Sequence, residues 1–178
     1  DDIHGGSFSD TNYEGARWQP VAIKAGLAGD ITINGDVDIA VMGTGLATDP
    51  YYVANNVDDY DLAHINLNGN VNIITPKDKT EAFYSVANYG GTININTDGT
   101  NVGDKKVVLF GNLLTMAERI LSSGSSGGVN FYRDGRTNIA LTNKDSVWTG
   151  VIDNTGKLLA GEVNLWLQNN ATWNHEAP

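Results

Sequence analysis

Apolar and polar residues alternate along several short stretches of the chain. The clearest stretch is 31–41, and the same alternation recurs in residues 65–73, 93–96 and 163–168. A period of two turns one face of a strand toward a core and the other toward solvent. The apolar residues that we expect to be buried are Ile33, Val37, Ile39, Leu67, Val71, Ile73, Ile93, Ile95, Leu141, Val163, Leu165 and Leu167. The Asn, Asp and Thr residues between them should face outward and stack as polar ladders.

These stretches recur at intervals along the chain. A glycine followed at short distance by an alternating segment occurs six times, and spacings of 34, 22, 36 and 34 residues separate the last five. The glycines are Gly29, Gly35, Gly69, Gly91, Gly127 and Gly161. A second repeat relates residues 138–148 to residues 164–173 with an offset of 26 residues, or 25 at Trp148 and Trp173.

Fixed periods of this size are typical of repeat architectures. A rung of 22–26 residues with short strands and Gly/Asn turns predicts a right-handed parallel β-helix, in which the longer spacings contain inserted loops. Trp148 and Trp173 should then stack on successive rungs. An antiparallel sandwich also has short alternating strands and remains the alternative fold.

Residues 112–121 break the alternation. Leu113, Met116, Ala117 and Ile120 fall at helical spacing, and Asn112 could cap the first turn, so we expect a short helix here. The run Ser122–Gly128 that follows has the composition of a flexible linker, either a native loop or an engineered one.

Composition narrows the possible partners. The chain has 178 residues, which suits one domain, here taken as 1–178, and its formal net charge is −10. So little basic charge argues against nucleic acid and anionic lipid as partners. The sequence contains no cysteine, no signal peptide and no apolar run long enough to insert into a membrane.

The C-terminal repeat carries a family resemblance. Residues 137–150, which read TNIALTNKDSVWTG, resemble the rungs of type V autotransporter passengers of the pertactin and AIDA-like group. Residues 161–173, which read GEVNLWLQNNATW, are similar to the segment near the C-terminus of such passengers, and the strongest match covers residues 127–176. The resemblance implies an extracellular fragment displayed at the bacterial outer membrane by a separate translocator β-barrel.

Two features are candidate ligand-binding sites. Residues 49–61 form an acidic and aromatic stretch within one of the long spacings, and loops on rigid scaffolds often carry function. The residues that could bind a sugar or a partner protein there are Tyr51, Tyr52, Asp58, Asp59, Tyr60 and Asp61. Trp166 has the opposite parity to its apolar neighbours and should point outward, where it could bind a ligand or cap the solenoid.

The sequence patterns that could indicate a catalytic site are weaker than the two ligand-binding candidates. The segment 96–99, which reads NTDG, resembles an Asp-bearing motif of polygalacturonases, with Asp58 and Asp59 as a possible acid pair. The order of these segments is reversed relative to that family and its other motifs are missing, so a strand ending in an Asp-Gly turn is the simpler interpretation. No Gly-x-Ser-x-Gly elbow occurs, and His4, His64 and His175 do not form a metal-binding pair.

The sequence therefore favours a surface-exposed adhesin segment without enzymatic activity or cofactor. It would bind a host glycan or protein, or another copy of itself on a neighbouring cell. A C-terminal folding and secretion module of a passenger is the alternative, and a β-helix polysaccharide lyase or hydrolase is a third possibility.

Calcium removal tests the acidic stretch. Asp58, Asp59 and Asp61 match neither an EF-hand nor the Gly-rich nonapeptide calcium repeat. We therefore expect EDTA to leave the melting temperature unchanged. A melting temperature that falls in EDTA and recovers with added Ca²⁺ would show a structural calcium site.

Overall fold

The chain is seen here in a computed structural model, which describes residues 20–26, 28–49, 63–75, 84–99, 101–122, 129–153 and 161–176. Within these residues it forms fifteen strands and no helix, and hence no helix that could span a membrane. Strands are numbered in chain order.

The strands belong to three sheets. The first sheet contains β1 (Val21–Gly26), β4 (Thr44–Asp49), β7 (Tyr84–Asn88) and β10 (Asn112–Thr115). The second contains β2 (Asp30–Ile33), β5 (His64–Leu67), β8 (Gly91–Ile95), β11 (Ala117–Ser122), β12 (Val129–Leu141) and β14 (Glu162–Leu167). The third contains β3 (Val37–Ala40), β6 (Val71–Ile74), β9 (Val107–Phe110), β13 (Val147–Thr149) and β15 (Thr172–Asn174).

Every described pairing between named strands is parallel except that of β11 with β12. The chain passes through the first, second and third sheets in the same order in each of its first three sets of strands. We call each such set a rung. The fourth rung is β10, β12 and β13, and the fifth is β14 and β15 preceded by Ile152, which bridges to Leu113 in the first sheet. The described residues are thus all-β, and their three parallel sheets, which do not close on one another, are compatible with a parallel β-helix.

Equivalent residues of successive rungs lie side by side. In the second sheet Ile33, Leu67, Ile95, Ile139 and Leu165 form one continuous inward column. The step from one rung to the next is 34, 28, 44 and then 26 residues in this sheet. The predicted C-terminal offset of 26 residues is confirmed, and so is the offset of 25 at the tryptophans.

The glycine pattern mixes two structural positions. Gly29, Gly91 and Gly161 lie at the start of the second sheet, whereas Gly35 and Gly69 lie at the turn into the third. Gly127 lies outside the described residues. The first position demands glycine at Gly91, which has φ of 85° and on which a Cβ would lie 2.3 Å from the Ala63 carbonyl oxygen.

Burial confirms most of the predicted core. The predicted residues that are buried are Val37, Ile39, Leu67, Val71, Ile73, Ile93, Ile95 and Leu141. Ile33, Val163 and Leu165 are only partly buried, and the prediction is wrong for Leu167, which is 48% exposed. Ile33 belongs to the first rung and the other three to the fifth, so each has a described rung on one side only.

The helix expected over residues 112–121 is absent. Residues 112–115 form β10 and residues 117–122 form β11. Leu113 packs in the main core, whereas Leu114 packs on the opposite face of the first sheet against Tyr84, Ala87 and Tyr89. A strand that is buried on both faces has apolar residues at consecutive positions and therefore shows no period of two. Without that period, the apolar residues of this segment also matched the spacing of a helix.

Two leucines in one column test how much stacking between rungs contributes to the free energy of unfolding. Leu141 and Leu167 are partners in the second sheet, but Leu141 is fully buried and Leu167 is 48% exposed. We expect Leu141→Ala to lower the free energy of unfolding by about 2–5 kcal/mol. Leu167→Ala should cost less than half as much, as measured by urea denaturation. Equal losses would show that the fifth rung is covered in solution.

Candidate functional site

The predicted loop site cannot be placed. Tyr51, Tyr52, Asp58, Asp59, Tyr60 and Asp61 all lie outside the described residues. Trp166 lies in β14 in register with Ala140 and is half-buried. It alternates with the core-packed Val163 and Leu165, so its predicted outward parity is retained.

An amide ladder runs across the outer face of the second sheet beside Trp166. Asn66 Nδ2 donates to Thr32 Oγ1 at 3.2 Å, and Asn94 Nδ2 donates to Asn66 Oδ1 at 2.7 Å. Asn138 Nδ2 then donates to Asn94 Oδ1 at 2.7 Å, and Asn164 Nδ2 donates to Asn138 Oδ1 at 2.9 Å. The ladder crosses all five rungs in one direction, which confirms the expected stacking of outward polar residues.

A second polar ladder joins the first two rungs at the turn from the second to the third sheet and at the start of the third sheet. Asn68 Nδ2 donates to Asn34 Oδ1 at 2.9 Å. The other two pairs have asparagine in the second rung and aspartate in the first. They are Asn70 with Asp36, at 3.1 Å between the side chains, and Asn72 with Asp38, at 2.8 Å.

The segment 96–99 is a strand end followed by a tight turn. β8 ends at Ile95, and Thr97 forms an antiparallel bridge with Val102. Asp98 accepts hydrogen bonds from the backbone and side-chain nitrogens of Asn101, at 2.5 and 2.8 Å. These contacts confirm the expected Asp-Gly turn. Asp58 and Asp59, its possible catalytic partners, lie outside the described residues.

This turn covers part of the amide ladder. A Cβ on Gly99 would lie 3.5 Å from Asn138 Nδ2 and 3.7 Å from Asn94 Oδ1. Asn138 is fully buried and Asn94 nearly so, although both belong to an outward-facing column. The ladder is therefore shielded from water in its middle and more open at its two ends.

Sequence reasoning missed a polar cluster inside the core. Asn88 Oδ1 accepts from Thr48 Oγ1 at 2.9 Å, and Asn88 Nδ2 lies 3.1 Å from the Arg136 carbonyl oxygen and 3.2 Å from Thr137 Oγ1. Thr115 and Thr137 share a further hydrogen bond of 2.8 Å between their hydroxyls. The cluster joins the first sheet to the second. The one feature of the sequence that could have predicted this cluster is that Asn88 and the threonines have the parity of the inward-facing residues in their strands.

Two tryptophans continue the core column of the third sheet. Trp148 and Trp173 stack with parallel rings whose centroids are 4.9 Å apart, as expected from their offset. Each indole nitrogen donates to the carbonyl oxygen of a glycine at the same kind of turn, Gly111 for Trp148 and Gly150 for Trp173. The fourth and fifth rungs thus share an aromatic contact at the position where the first three rungs have Ile39, Ile73 and Leu109.

Hydrogen bonds shift the pKa of two side chains, and burial shifts that of a third. The backbone and side-chain amides of Asn70 lower the pKa of Asp36. Asn164 and, less strongly, Arg136 lower the pKa of Glu162. Burial raises the pKa of Tyr84, whose hydroxyl donates to Asp153 at 2.6 Å, so Tyr84 remains a neutral donor at physiological pH. The bond from Asn70 to Asp36 and the bond from Tyr84 to Asp153 join different rungs, whereas Asn164 and Glu162 lie in the same strand.

Metal-binding groups do not gather in the part of the chain that is described. No three His, Asp or Glu residues there are close enough to hold a metal ion. His175 packs edge-on against Trp173, with ring centroids 5.3 Å apart, and His64 lies at the start of β5. Residues 58–61 and His4 lie outside the described ranges, so the calcium prediction remains to be measured.

Comparison of this chain with protein-family models, with curated proteins and with solved structures finds no match.

Removing one ladder amide tests the value of its burial. Asn138→Ala leaves the buried Asn94 Oδ1 without its donor and removes one of the two acceptors of the Asn164 amide, which keeps Glu162. We expect a loss of about 1–3 kcal/mol in unfolding free energy. Asn68→Ala removes the same side chain at an exposed position and should cost less than about 1 kcal/mol. Urea denaturation of both variants compares them, and equal losses would contradict a shielded ladder.

Proposed function

We propose that the three sheets are the faces of a right-handed parallel β-helix, and that each rung is one of its coils. Five rungs in register, each advancing through the same order of sheets, support this architecture. Connections between parallel strands of one sheet are right-handed in about 98% of cases, which supports the handedness. A crystal structure with left-handed coils would contradict it.

We further propose that the chain is a segment of a surface-displayed bacterial adhesin, from the passenger of an autotransporter. The observation that carries this proposal is the continuous outward amide ladder over a stacked apolar core. The core columns and the ladder hold the rungs rigidly together, so loops between strands can vary without disturbing them. The C-terminal sequence resemblance supports an extracellular location and display by a separate translocator.

The proposed ligand is a host glycan, a host protein or another copy of the chain. The net charge of −10 favours a neutral glycan or a basic protein patch over an acidic polymer, nucleic acid or anionic membrane. We assign the contact to the Tyr51–Asp61 stretch and to Trp166, and propose neither a cofactor nor a catalytic step. Trp166 is the one of these residues whose position is described, beside the amide ladder.

Display of the full passenger on a non-aggregating cell tests this function. Replacement of Tyr51, Tyr52 and Tyr60 by serine should weaken self-aggregation or host-cell binding, because it removes rigid contact area. Display level and melting temperature should stay unchanged. Trp166→Ser, tested separately, shows whether the outer face of the second sheet takes part in adhesion.

The controls separate binding from folding. If the tyrosine variant unfolds, those side chains belong to the core. If adhesion survives both the tyrosine and the Trp166 replacements, the proposed contact is wrong.

A C-terminal folding module is the second candidate. The stacked Trp148–Trp173 pair favours it, because it gives the last two rungs a larger aromatic contact than the earlier rungs have. Deletion of residues 127–178 from the full passenger distinguishes the two functions. Loss of display together with loss of a stable passenger supports the module, whereas normal display with lost adhesion supports the binding function.

A further inference from the structure

The dipeptide Asn-Gly occurs twice at equivalent places in the structure. Asn34-Gly35 and Asn68-Gly69 both lie at the turn from the second to the third sheet, one on the first rung and one on the second. Asn-Gly is the sequence most prone to deamidation, because glycine has no side chain to hinder attack by its backbone nitrogen on the preceding carboxamide. Sequence alone gives the two sites similar reactivity.

The structure makes the two carboxamides unequal. Asn34 Oδ1 accepts a hydrogen bond from Asn68 Nδ2 at 2.9 Å. No atom of the described residues bonds the Asn34 amide nitrogen. Asn68 has the reverse arrangement, since its own amide nitrogen is the donor of this bond. The group that must leave in deamidation is therefore unrestrained in Asn34 and held in Asn68.

The two glycines also differ. Gly35 is exposed, and a Cβ built on it meets no atom within 4 Å. Gly69 is buried, and a Cβ on it would lie 2.2 Å from the Gly35 carbonyl oxygen. The backbone at Gly35 has room to move toward the preceding side chain, whereas the backbone at Gly69 is confined beneath the neighbouring rung.

We propose that Asn34 is a site of selective, uncatalysed deamidation and that Asn68 is its positioning residue. The Gly35 backbone nitrogen loses its proton to water and attacks Asn34 Cγ, forming an N–C bond and a tetrahedral oxyanion on Oδ1. The bond from Cγ to Nδ2 then breaks, and the nitrogen leaves as ammonia after taking a proton from water. Water opens the resulting succinimide at either carbonyl, giving aspartate or isoaspartate.

Asn68 promotes the first step through the bond already present. Its Nδ2 donates to the oxygen on which negative charge develops, as a donor of an oxyanion hole does. The contact is exposed to water, so its effect on the rate is modest: we expect a factor of roughly three to ten, in line with the net value of one such hydrogen bond.

The aspartate product suits the surrounding ladder. A carboxylate at position 34 still accepts from Asn68 Nδ2, and the two neighbouring pairs already join an aspartate of the first rung to an asparagine of the second. Deamidation of Asn68 would instead place a carboxylate opposite the Asn34 oxygen and remove the donor between them. The structure thus directs the reaction to the member of the pair at which an acidic product is accommodated.

Mass spectrometry of peptides from protein aged at mildly alkaline pH tests the proposal. In the folded protein, position 34 should deamidate faster than position 68 by roughly threefold or more. In urea the two rates should become similar, because both dipeptides follow an aliphatic residue. Equal rates in the folded protein, or faster reaction at position 68, would overturn the proposal even without variants.

Two alanine variants isolate the contribution of Asn68. Asn68→Ala should slow deamidation at Asn34, and Asn68→Asp should slow it further, because its carboxylate would face the Asn34 oxygen and repel the negative charge that develops there. Asn70→Ala removes the adjacent ladder amide, which bonds Asp36 and not Asn34, and should leave the rate at Asn34 unchanged. Equal effects of Asn68→Ala and Asn70→Ala at matched melting temperatures would assign the rate to general loosening of the turn and refute the role of Asn68.

Discussion

Parallel register between rungs is the constraint on which the other contacts depend. Neighbouring strands lie about 4.8 Å apart, so each side chain has its counterpart from the next rung as its closest non-local neighbour. Identical chemistry is then favoured at each position. Leu67 stacks on Ile95, Asn94 bonds Asn66, and Trp148 stacks on Trp173. A mismatch at one position leaves two unsatisfied neighbours, one above and one below.

This constraint applies to strands and leaves the connections between them free to vary. The steps between rungs of the second sheet range from 26 to 44 residues, yet the same inward and outward columns continue through all of them. Extra residues are therefore accommodated outside the strands without loss of register. A surface protein can change its binding segments in this way while its stacked core stays the same, which is the physical basis of the adhesin proposal.

The sequence predicted those parts of the fold in which one strand face is buried and the other exposed. Leu67, Val71 and Ile95 were correctly placed in the core because their strands obey a period of two. The same reasoning did not predict the strand of the first sheet over residues 112–115. This strand, β10, is buried on both faces, and its residues Leu113 and Leu114 pack in two different clusters. Leu167 was misplaced for another reason: alternation gives the direction of a side chain but does not show whether a further rung covers it. The loop candidates depend on a segment outside the described residues, and only Trp166 could be located.

Buried polar side chains supply a specificity that apolar columns lack. A slip of two residues in one strand keeps apolar side chains facing inward, so the hydrophobic contacts alone discriminate weakly against it. Asn88 does not tolerate such a slip, because it is fully buried and its amide bonds the backbone of β12 and the hydroxyl of Thr137. Asn96 acts similarly at the end of β8, where its left-handed φ of 58° turns the chain and its amide bonds the Ala140 carbonyl oxygen of the next rung. Each slip would leave these amides buried and unpaired at about 1–3 kcal/mol apiece. The apolar columns therefore provide most of the attraction between rungs, and the corner asparagines select the one register in which that attraction is realised.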